Sequence, residues 1–507
     1  MDNNKRIITN TVSLYGRMFI TMIISFFTSR LTLQLLGVED YGLYNLVGGV
    51  VMMFNFLNAS MGTAVQRFYS IKIGENDPIG LKKVFGAGLF IHIIISIITL
   101  FFLEIFAIFF LHRLNIPQER LYAAQIVFQI SSASMILNIL NVPYAALLRA
   151  REAFSKMAIL DIVQSFLRLG ILLLLARTTY DKLISFSGMS LVITFLYVFA
   201  IFLLCRPYEE SKLYLCREKN IIKEMFSFTL LMLIGVMSNL LRTNGIPVLV
   251  NLFFGLAINA AFAVAGQVTS IIESFTSNFK QSVVPQLMSS FSQDRSRSYK
   301  LAFSSTKFTF ILFLFVAIPC IFETDYLLLF WLKTPPEHSS LLVKLSVINS
   351  IIYTFPYFVT QSIHASGKIK RLQVFTVVLN IITVFIIWIT LKLGASFTSV
   401  MVVSILFSVS YNIINLYYAK KEFDFNVGKF VLDVVLKCLG VFVIVGICIW
   451  LFKGLFDEGL VRLILTSLLG ILLSIIVGYT ICLNGDERFF IRGICVKMVQ
   501  KFNKNER

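Results

Sequence analysis

The chain has 507 residues, of which 57% are hydrophobic and only 14% charged, and its formal net charge is +18. A soluble protein of this length could not bury so much apolar surface, so the composition predicts an integral membrane protein covered by lipid. A nucleic-acid-binding protein would need a soluble basic domain, and the sequence contains none, so no nucleic-acid partner is expected.

Fourteen apolar runs of about 20 residues or more follow one another along the chain, and only α-helices satisfy their backbone in such runs. The first run is too long for the apolar core of a signal peptide and contains two arginines, so we interpret it as a retained helix. Kinks are expected at the prolines at positions 143, 247, 285 and 356. The predicted spans are 10–36, 41–70, 82–111, 120–147, 155–177, 183–205, 221–250, 256–288, 300–321, 340–365, 370–391, 396–419, 428–452 and 461–483.

The first half of the chain is repeated in the second half at an offset of 218 residues. Residues 36–50, LGVEDYGLYNLVGGV, align with residues 254–268, FGLAINAAFAVAGQV, which pairs Gly37 with Gly255. Duplicated helical halves are typical of transporters. We predict a first six-helix lobe at 1–205, a cytoplasmic linker at 206–220, a second six-helix lobe at 221–420, and two further helices with a basic cytoplasmic tail at 421–507.

The distribution of Lys and Arg predicts the orientation in the membrane. Of the 45 Lys and Arg residues, 28 lie at the termini and in every second loop, 8 lie in the opposite loops, and nine lie within spans. Because basic residues accumulate on the cytoplasmic side, both termini are expected there.

Some of the basic residues within spans lie at positions where a charge costs little free energy. Arg67, Lys344 and Lys437 lie near helix ends and are expected to reach the interface. Asp433 lies four residues before Lys437 and is expected to pair with it.

Five other basic residues are predicted to bind substrate in a cavity. Arg168 lies near the middle of its span, where a charge costs about 2.5–3.5 kcal/mol on insertion scales, and it shares a helical face with Asp161. Two interpretations stay open, a structural ion pair with Asp161 or a cation that lines the cavity. The predicted substrate-binding cations are Arg17, Arg30, Arg168, Arg242 and Lys280.

The eighth predicted span carries a polar seam whose residues follow a 3-4-3-4 spacing on one helical face. Small polar residues also hydrogen-bond helices to one another, but the flanking charges of Glu273 and Lys280 favour a water-filled cavity. The second span has a corresponding seam that includes Asn55 and Gln66. The eighth-span seam consists of Gln267, Ser270, Ser274, Ser277 and Gln281.

Several catalytic patterns are missing from the sequence. No phosphate-binding loop, GxSxG, HExxH or CxxC pattern is present, so no catalytic residue, metal or cofactor is predicted. The outer loops are short, with residues 322–339 the longest. Membrane polysaccharide polymerases and ligases need a large outer loop, so the sequence predicts a protein that is not an enzyme.

Four segments carry a resemblance to a known family: SRLTLQLLGVEDYGLYNLVGGV at 29–50, AVQRFYS at 64–70, AGQVTSIIESFTSNFKQSVVPQ at 265–286 and HASGKIKRLQ at 364–373. With them the chain resembles the polysaccharide (O-antigen, Wzx-type) flippases of the multidrug/oligosaccharidyl-lipid/polysaccharide (MOP) exporter superfamily. The resemblance implies an all-α membrane protein with about 14 helices, in two pseudo-symmetric lobes around a central cavity plus two C-terminal helices. It also implies a bacterial cytoplasmic (inner) membrane location.

The resemblance further implies a function, the flipping of a polyprenyl-pyrophosphate-linked oligosaccharide of O-antigen, capsule or a similar surface glycan by alternating access. The expected partners are this lipid-linked oligosaccharide and bilayer lipids, and the protein is expected to act as a monomer. A cation-coupled multidrug (MATE-type) exporter would favour buried carboxylates, whereas basic residues outnumber acidic ones nine to four within spans. A lipid II flippase stays open as an alternative, and a glycan polymerase or ligase is disfavoured by the short outer loops.

Transport without an ATP site needs another source of energy, either an H⁺ or Na⁺ gradient or consumption of the cargo outside. Glu273 and Asp161 are the candidate coupling residues. Asp161 is expected to stay ionised beside Arg168, so Glu273 is the better candidate.

Overall fold

The computed structural model describes residues 3–52, 55–110, 117–212, 214, 218–489 and 492, and within these ranges it contains helices and no strand. The predicted all-α class is therefore confirmed. The helices are α1 (Asn3–Met52), α2 (Asn55–Gly74), α3 (Pro78–Phe110), α4 (Leu121–Ala150), α5 (Phe154–Leu175), α6 (Lys182–Cys205), α7 (Lys219–Gln293), α8 (Arg295–Phe322), α9 (Thr324–Leu332), α10 (Ser339–Thr354), α11 (Tyr357–Ser366), α12 (Lys370–Lys392), α13 (Thr398–Phe423), α14 (Val427–Phe430), α15 (Lys437–Lys453) and α16 (Leu460–Val477).

Eleven helices in the described part are long and apolar enough to cross a membrane. They correspond to eleven of the fourteen predicted spans. The other three, 10–36, 41–70 and 256–288, fall on α1, α2 and the second half of α7, which carry both polar seams and several of the charged residues. The total of fourteen stays a prediction.

A single glycine bends each of the two longest helices. Inside α1, Gly37 has φ 80° and ψ 169°, and inside α7, Gly255 has φ 77° and ψ −169°. This backbone region is open essentially to glycine alone, because a Cβ atom would collide with the backbone. The two glycines are partners in the sequence repeat, and the structure gives them the same unusual backbone. The sequence predicts a loop after the span at 10–36 and another after the span at 221–250. In the structure both interruptions are shorter than these loops, because helix resumes directly after each glycine.

The chain divides into two compact units. The first unit contains Met1–Met237 and Met288–Gln293, and the second contains Ser238–Leu287 and Asp294–Arg507. The predicted linker at 206–220 is only partly described, and its Glu210 is buried and accepts a hydrogen bond of 2.9 Å from Arg151 Nε. This contact ties the segment to the end of α4 within the first unit.

The first unit has an apolar core built on α4. Val47 and Met61 pack with Phe128 and Ile139, and all four are fully buried. A separate group of buried apolar residues around Leu172 and Leu175 lies where α5 packs against α1. This core holds α1, α4 and α5 together. Polar residues of these helices form part of the first cluster described below.

In the second unit, buried ion pairs attach the last helices to α8. Lys307 on α8 has no exposed surface and lies 3.0 Å from the carboxylate of Glu487, just after α16. At the other end of α8, Arg462 on α16 lies 2.9 Å from the buried carboxylate of Glu323. Between the two pairs, a Cβ atom on Gly470 would come within 3.0 Å of Ile318, so the helices are in close contact there.

The expectations for charges near helix ends have mixed outcomes. Lys437 pairs with Asp433 at 2.9 Å, as predicted. Arg67 was expected to reach the interface, and this is wrong: its side chain is buried, with the guanidinium carbon 4.6 Å from the ring centroids of both Phe68 and Phe228. Two aromatic faces replace water around the guanidinium, which lowers the cost of its burial.

Proline acts differently at different positions. A break is confirmed at Pro356, because α10 ends at Thr354 and α11 begins at Tyr357. Pro143 in α4 and Pro285 in α7 lie within helices that continue past them. The basic tail beyond residue 492 lies outside the described residues.

Candidate functional site

In the first unit, a carboxylate joins α1, α5 and α6. Asp161 on α5 accepts a hydrogen bond of 2.8 Å from Arg17 Nη1 on α1. Its other oxygen accepts a hydrogen bond of 2.8 Å from the Tyr197 hydroxyl on α6. The interpretation in which Asp161 pairs with Arg168 is therefore wrong, because Arg17 occupies the position beside the carboxylate.

A second cation lies near this group and was missed by the sequence interpretation. Arg149, in the last turn of α4, interacts electrostatically with Asp161 and Tyr197. A Cβ atom on Gly62 would lie only 3.0 Å from Arg149 Nη2, so the absence of a side chain at Gly62 makes room for the guanidinium. Arg149 lies in a predicted cytoplasmic loop, after the span at 120–147, but α4 continues to Ala150 and therefore includes it. We call Arg17, Arg149, Asp161 and Tyr197 the first cluster.

Two other predicted residues of the first unit, Arg168 and Gln66, take no part in these contacts. Arg168 is exposed on α5, and no hydrogen bond or ion pair within the described part of the chain involves it. Gln66 is buried on α2. The side chains of Arg30 and Asn55 lie outside the described residues.

In the second unit, Arg242 is held by neutral groups and an aromatic ring. Its Nε donates to Asn380 Oδ1 at 3.0 Å, and its Nη2 donates to Asn239 Oδ1 at 3.1 Å. The guanidinium carbon lies 4.2 Å from the ring centroid of Phe407. Asn380 is itself fixed, since its amide donates to Ser238 Oγ at 2.9 Å. These contacts orient the guanidinium, and within the described residues no carboxylate lies at ion-pair distance from it.

The other two charges of this unit lie on the second half of α7. Glu273 interacts electrostatically with both Arg242 and Lys280, yet no ion pair of 4 Å or less forms at Glu273 in the described ranges. Lys280 Nζ lies 4.9 Å from the ring centroid of Tyr357. We call Arg242, Glu273 and Lys280 the second cluster.

The predicted polar seam surrounds Glu273 on α7. Most of its members are exposed on the surface of α7, which differs from the buried state expected of residues that bond one helix to the next. Among the seam residues only Ser277 is half-buried, and its hydroxyl donates to the carbonyl of Ser274 at 2.8 Å. The exposed members are Gln267, Ser270, Ser274 and Gln281.

The two clusters share an excess of positive charge. Each contains two cations and one carboxylate. Such a group attracts an anion, because guanidinium and ammonium groups form charge-assisted hydrogen bonds with phosphate oxygens. Within the part of the chain that the structure describes, no group of three or more His, Cys, Asp or Glu residues could hold a metal ion.

Part of the first unit is similar in sequence to a known protein family. Residues 15–174 match the MatE family model, a stretch that lies entirely within the first unit. No curated protein sequence matches the chain.

Solved structures match over most of the chain. A MATE transporter in the bent conformation superposes with a TM-score of 0.72 at 14% identity, covering 85% of this chain and 96% of that one. A MOP superfamily transporter from Pyrococcus furiosus, for which a reverse polarity of the binding pocket suggests a different function, gives a TM-score of 0.69 at 12% identity over 85% and 97% of the two chains. The MATE transporter ClbM in complex with Rb⁺ gives 0.67 at 12% identity over 81% and 94%. The chain therefore has the fold of MATE transporters.

Proposed function

We propose that this chain, a multi-pass membrane protein with the fold of MATE transporters, exports a polyprenyl-pyrophosphate-linked oligosaccharide across the bacterial cytoplasmic membrane. The cargo has an anionic pyrophosphate, a polar glycan and a long apolar tail. Alternating access of the kind associated with this fold would carry the pyrophosphate and glycan, while the tail stays in lipid.

The observation that carries the proposal is the charge of the two clusters. In the second cluster, Arg242 is oriented by two amides and a ring, and it forms no close ion pair among the residues that the structure describes. In the first cluster, Asp161 serves two cations, Arg17 and Arg149. A pyrophosphate would bring negative charge to the cations of either cluster.

A multidrug exporter is the second candidate, because structures similar to this chain include one described as a multidrug resistance MATE family transporter. Cationic drugs would be repelled by the excess positive charge of both clusters. The P. furiosus transporter, whose reversed pocket polarity is described as suggesting a different function, is a precedent for a different function on this fold.

Charge removal tests the proposal in cells that lack the native gene. We expect Arg242→Ala, Lys280→Ala and Arg17→Ala each to lower surface glycan export about tenfold or more, because a lost charge-assisted hydrogen bond is worth about 1.5–3 kcal/mol. Export is measured as surface glycan per cell, and membrane protein levels are measured in parallel.

Lys437→Ala is the matched control, since its ammonium already pairs with Asp433 and both side chains are about one-third exposed. We expect near-normal export from this variant. Equal export by all four variants would contradict the proposal. Loss of viability on gene deletion would favour a lipid II flippase, and sensitivity to cationic drugs with normal glycan export would favour the multidrug candidate.

A further inference from the structure

The second unit contains a continuous stack of one guanidinium and three aromatic rings. Arg242 covers the ring of Phe407 on α13, with its guanidinium carbon 4.2 Å from the centroid. Phe407 stacks on Tyr411, one helical turn later, with centroids 6.1 Å apart and ring planes 12° from parallel. Tyr411 in turn stacks on Tyr353 of α10 at 5.3 Å and 24°. We call Phe407, Tyr411 and Tyr353 the aromatic column.

The column is buried at one end and accessible at the other. Phe407 is 4% exposed beneath Arg242, whereas Tyr353 is 36% exposed. Stacking on Tyr411 fixes the orientation of the Tyr353 ring, so an accessible aromatic face is held in place before any ligand arrives. A fixed ring loses little conformational entropy on binding.

The surroundings of the accessible ring are polar and charged. Tyr353 interacts electrostatically with Glu273 and Arg242. One turn before it on α10, Asn349 accepts a hydrogen bond of 2.7 Å from Ser408, which leaves its amide N–H groups to donate. A tyrosine that only faced lipid would not have a carboxylate, a guanidinium and an amide around it.

An aromatic face with a rim of hydrogen-bonding groups matches the chemistry of a sugar ring. A pyranose has an apolar face of C–H bonds, whose partial positive charge is attracted to the negative face of an aromatic ring. Its hydroxyl groups need donors and acceptors around that face, and a carboxylate, an amide and phenolic hydroxyls supply both. A flat cationic ligand would also stack on a tyrosine, but it would meet the net positive charge of Arg242, Lys280 and Glu273.

We infer that the Tyr353 end of the aromatic column is a saccharide-binding platform. The inference rests on the proposed function, because it assigns the glycan of the lipid-linked cargo to this place in the second unit. Arg242 has a double role in this arrangement: its ring contact closes the buried end of the column, and its charge attracts the pyrophosphate next to the first sugar.

Binding of two lipids to the purified full-length protein in nanodiscs tests the platform. The first probe is the lipid-linked oligosaccharide extracted from cells in which the gene is deleted, and the second is polyprenyl diphosphate without sugar. We expect wild-type protein to bind the first probe more tightly. Tyr353→Ala is expected to weaken binding of the glycan-bearing lipid about tenfold, as loss of a stacked ring does, and to leave binding of the sugar-free lipid unchanged.

Two further variants separate stacking from other effects. Tyr353→Phe retains the ring and is expected to bind the glycan-bearing lipid within about threefold of wild type, since only one hydroxyl is lost. Phe385→Ala is the matched control, because Phe385 also belongs to a stacked pair, with Trp388 at 5.6 Å, and is 57% exposed. It is expected to bind both lipids like wild type.

The outcomes distinguish this inference from the proposed function. If wild-type protein binds neither lipid, the proposed function is wrong and the platform with it. If wild type binds both lipids equally, or Tyr353→Ala weakens both equally, the platform is wrong and the proposed function stands. The platform is also overturned if Tyr353→Phe loses as much glycan-lipid affinity as Tyr353→Ala, because stacking would not be the interaction.

Discussion

The two compact units hold their central carboxylates in different ways. In the first unit, Asp161 is bonded to Arg17 and Tyr197 at 2.8 Å each. In the second unit, Glu273 is exposed on α7 and forms no close ion pair among the residues described, although two cations lie within electrostatic range. The sequence repeat therefore preserves the backbone more faithfully than it preserves the arrangement of charge.

The two carboxylates therefore differ in how readily they can accept a new partner. A carboxylate with two strong partners contributes to the packing of three helices and can change partner only at a cost. A carboxylate that interacts with cations at longer range can accept a proton, a metal ion or a ligand hydroxyl without first breaking a bond. We therefore expect Asp161 to have a structural role and Glu273 to act in coupling or in cargo binding.

The largest effect is expected on gradient-driven transport. Glu273→Gln retains the shape of the side chain and removes its charge, so we expect transport in reconstituted vesicles to lose its response to an imposed H⁺ or Na⁺ gradient. Asp161→Asn is the matched variant in the first unit and should retain the response. Transport is followed as movement of the lipid-linked oligosaccharide to the opposite leaflet.

The opposite pattern would reverse the assignment of the two carboxylates. A response that survives Glu273→Gln and disappears in Asp161→Asn would make Asp161 the coupling residue. A response that survives both substitutions would mean that neither carboxylate carries the coupling ion.

The second-largest effect is expected on stability. Here Asp161→Asn should have the larger effect and Glu273→Gln the smaller one. Asp161→Asn leaves Arg17 and Arg149 without their carboxylate, and we expect a loss of about 2–3 kcal/mol because the pair is only partly exposed. Glu273→Gln should change stability by less than about 0.5 kcal/mol, as for surface substitutions. Thermal unfolding in the same detergent measures both variants, and equal shifts would contradict the comparison.

The smallest effect is expected at the two glycines that the units share. Gly37→Ala and Gly255→Ala force a Cβ atom into a backbone region that alanine avoids, at a cost of about 1–2 kcal/mol each. An added Cβ meets no atom within 4 Å at either position, so the cost comes from the backbone alone. The two variants should lower the unfolding midpoint by similar amounts.

Gly266→Ala is the control for these substitutions. Gly266 lies within α7, and an added Cβ there also meets nothing within 4 Å. Because its backbone is helical, alanine should leave stability unchanged or raise it by up to about 1 kcal/mol. A loss at Gly266 equal to that at Gly255 would show that backbone conformation is not the cause.

Much of the architecture follows from the sequence because it depends on local pattern. Long apolar runs predict helices in any context, since a bilayer leaves no other way to satisfy the backbone. The repeat aligns Gly37 with Gly255, but the bends at these two glycines were not predicted and are a finding of the structure. The pairing of Lys437 with Asp433 is equally local, as the two residues are one helical turn apart.

The arrangement of charge was decided by tertiary structure. Asp161 shares a helical face with Arg168, so sequence spacing favoured that pair, but packing of α1 against α5 brings Arg17 to the carboxylate instead. Arg67 lies near a helix end and is nonetheless buried between two rings, one of which belongs to α7. Partners that are far apart in sequence leave no periodic signal.

The aromatic column is the clearest case of an arrangement that sequence spacing does not predict. Tyr353 and Tyr411 are ordinary aromatic residues on two apolar helices, and nothing in their spacing marks them as partners. Their stacking depends on how α10 packs against α13, and the place of Arg242 at its end depends on two asparagines, one of them on α12. The sequence determined that this protein is helical, duplicated and rich in cations within its spans, because those properties are sums over local residues. Only the fold decided which cations keep their charge available, because that depends on contacts between helices.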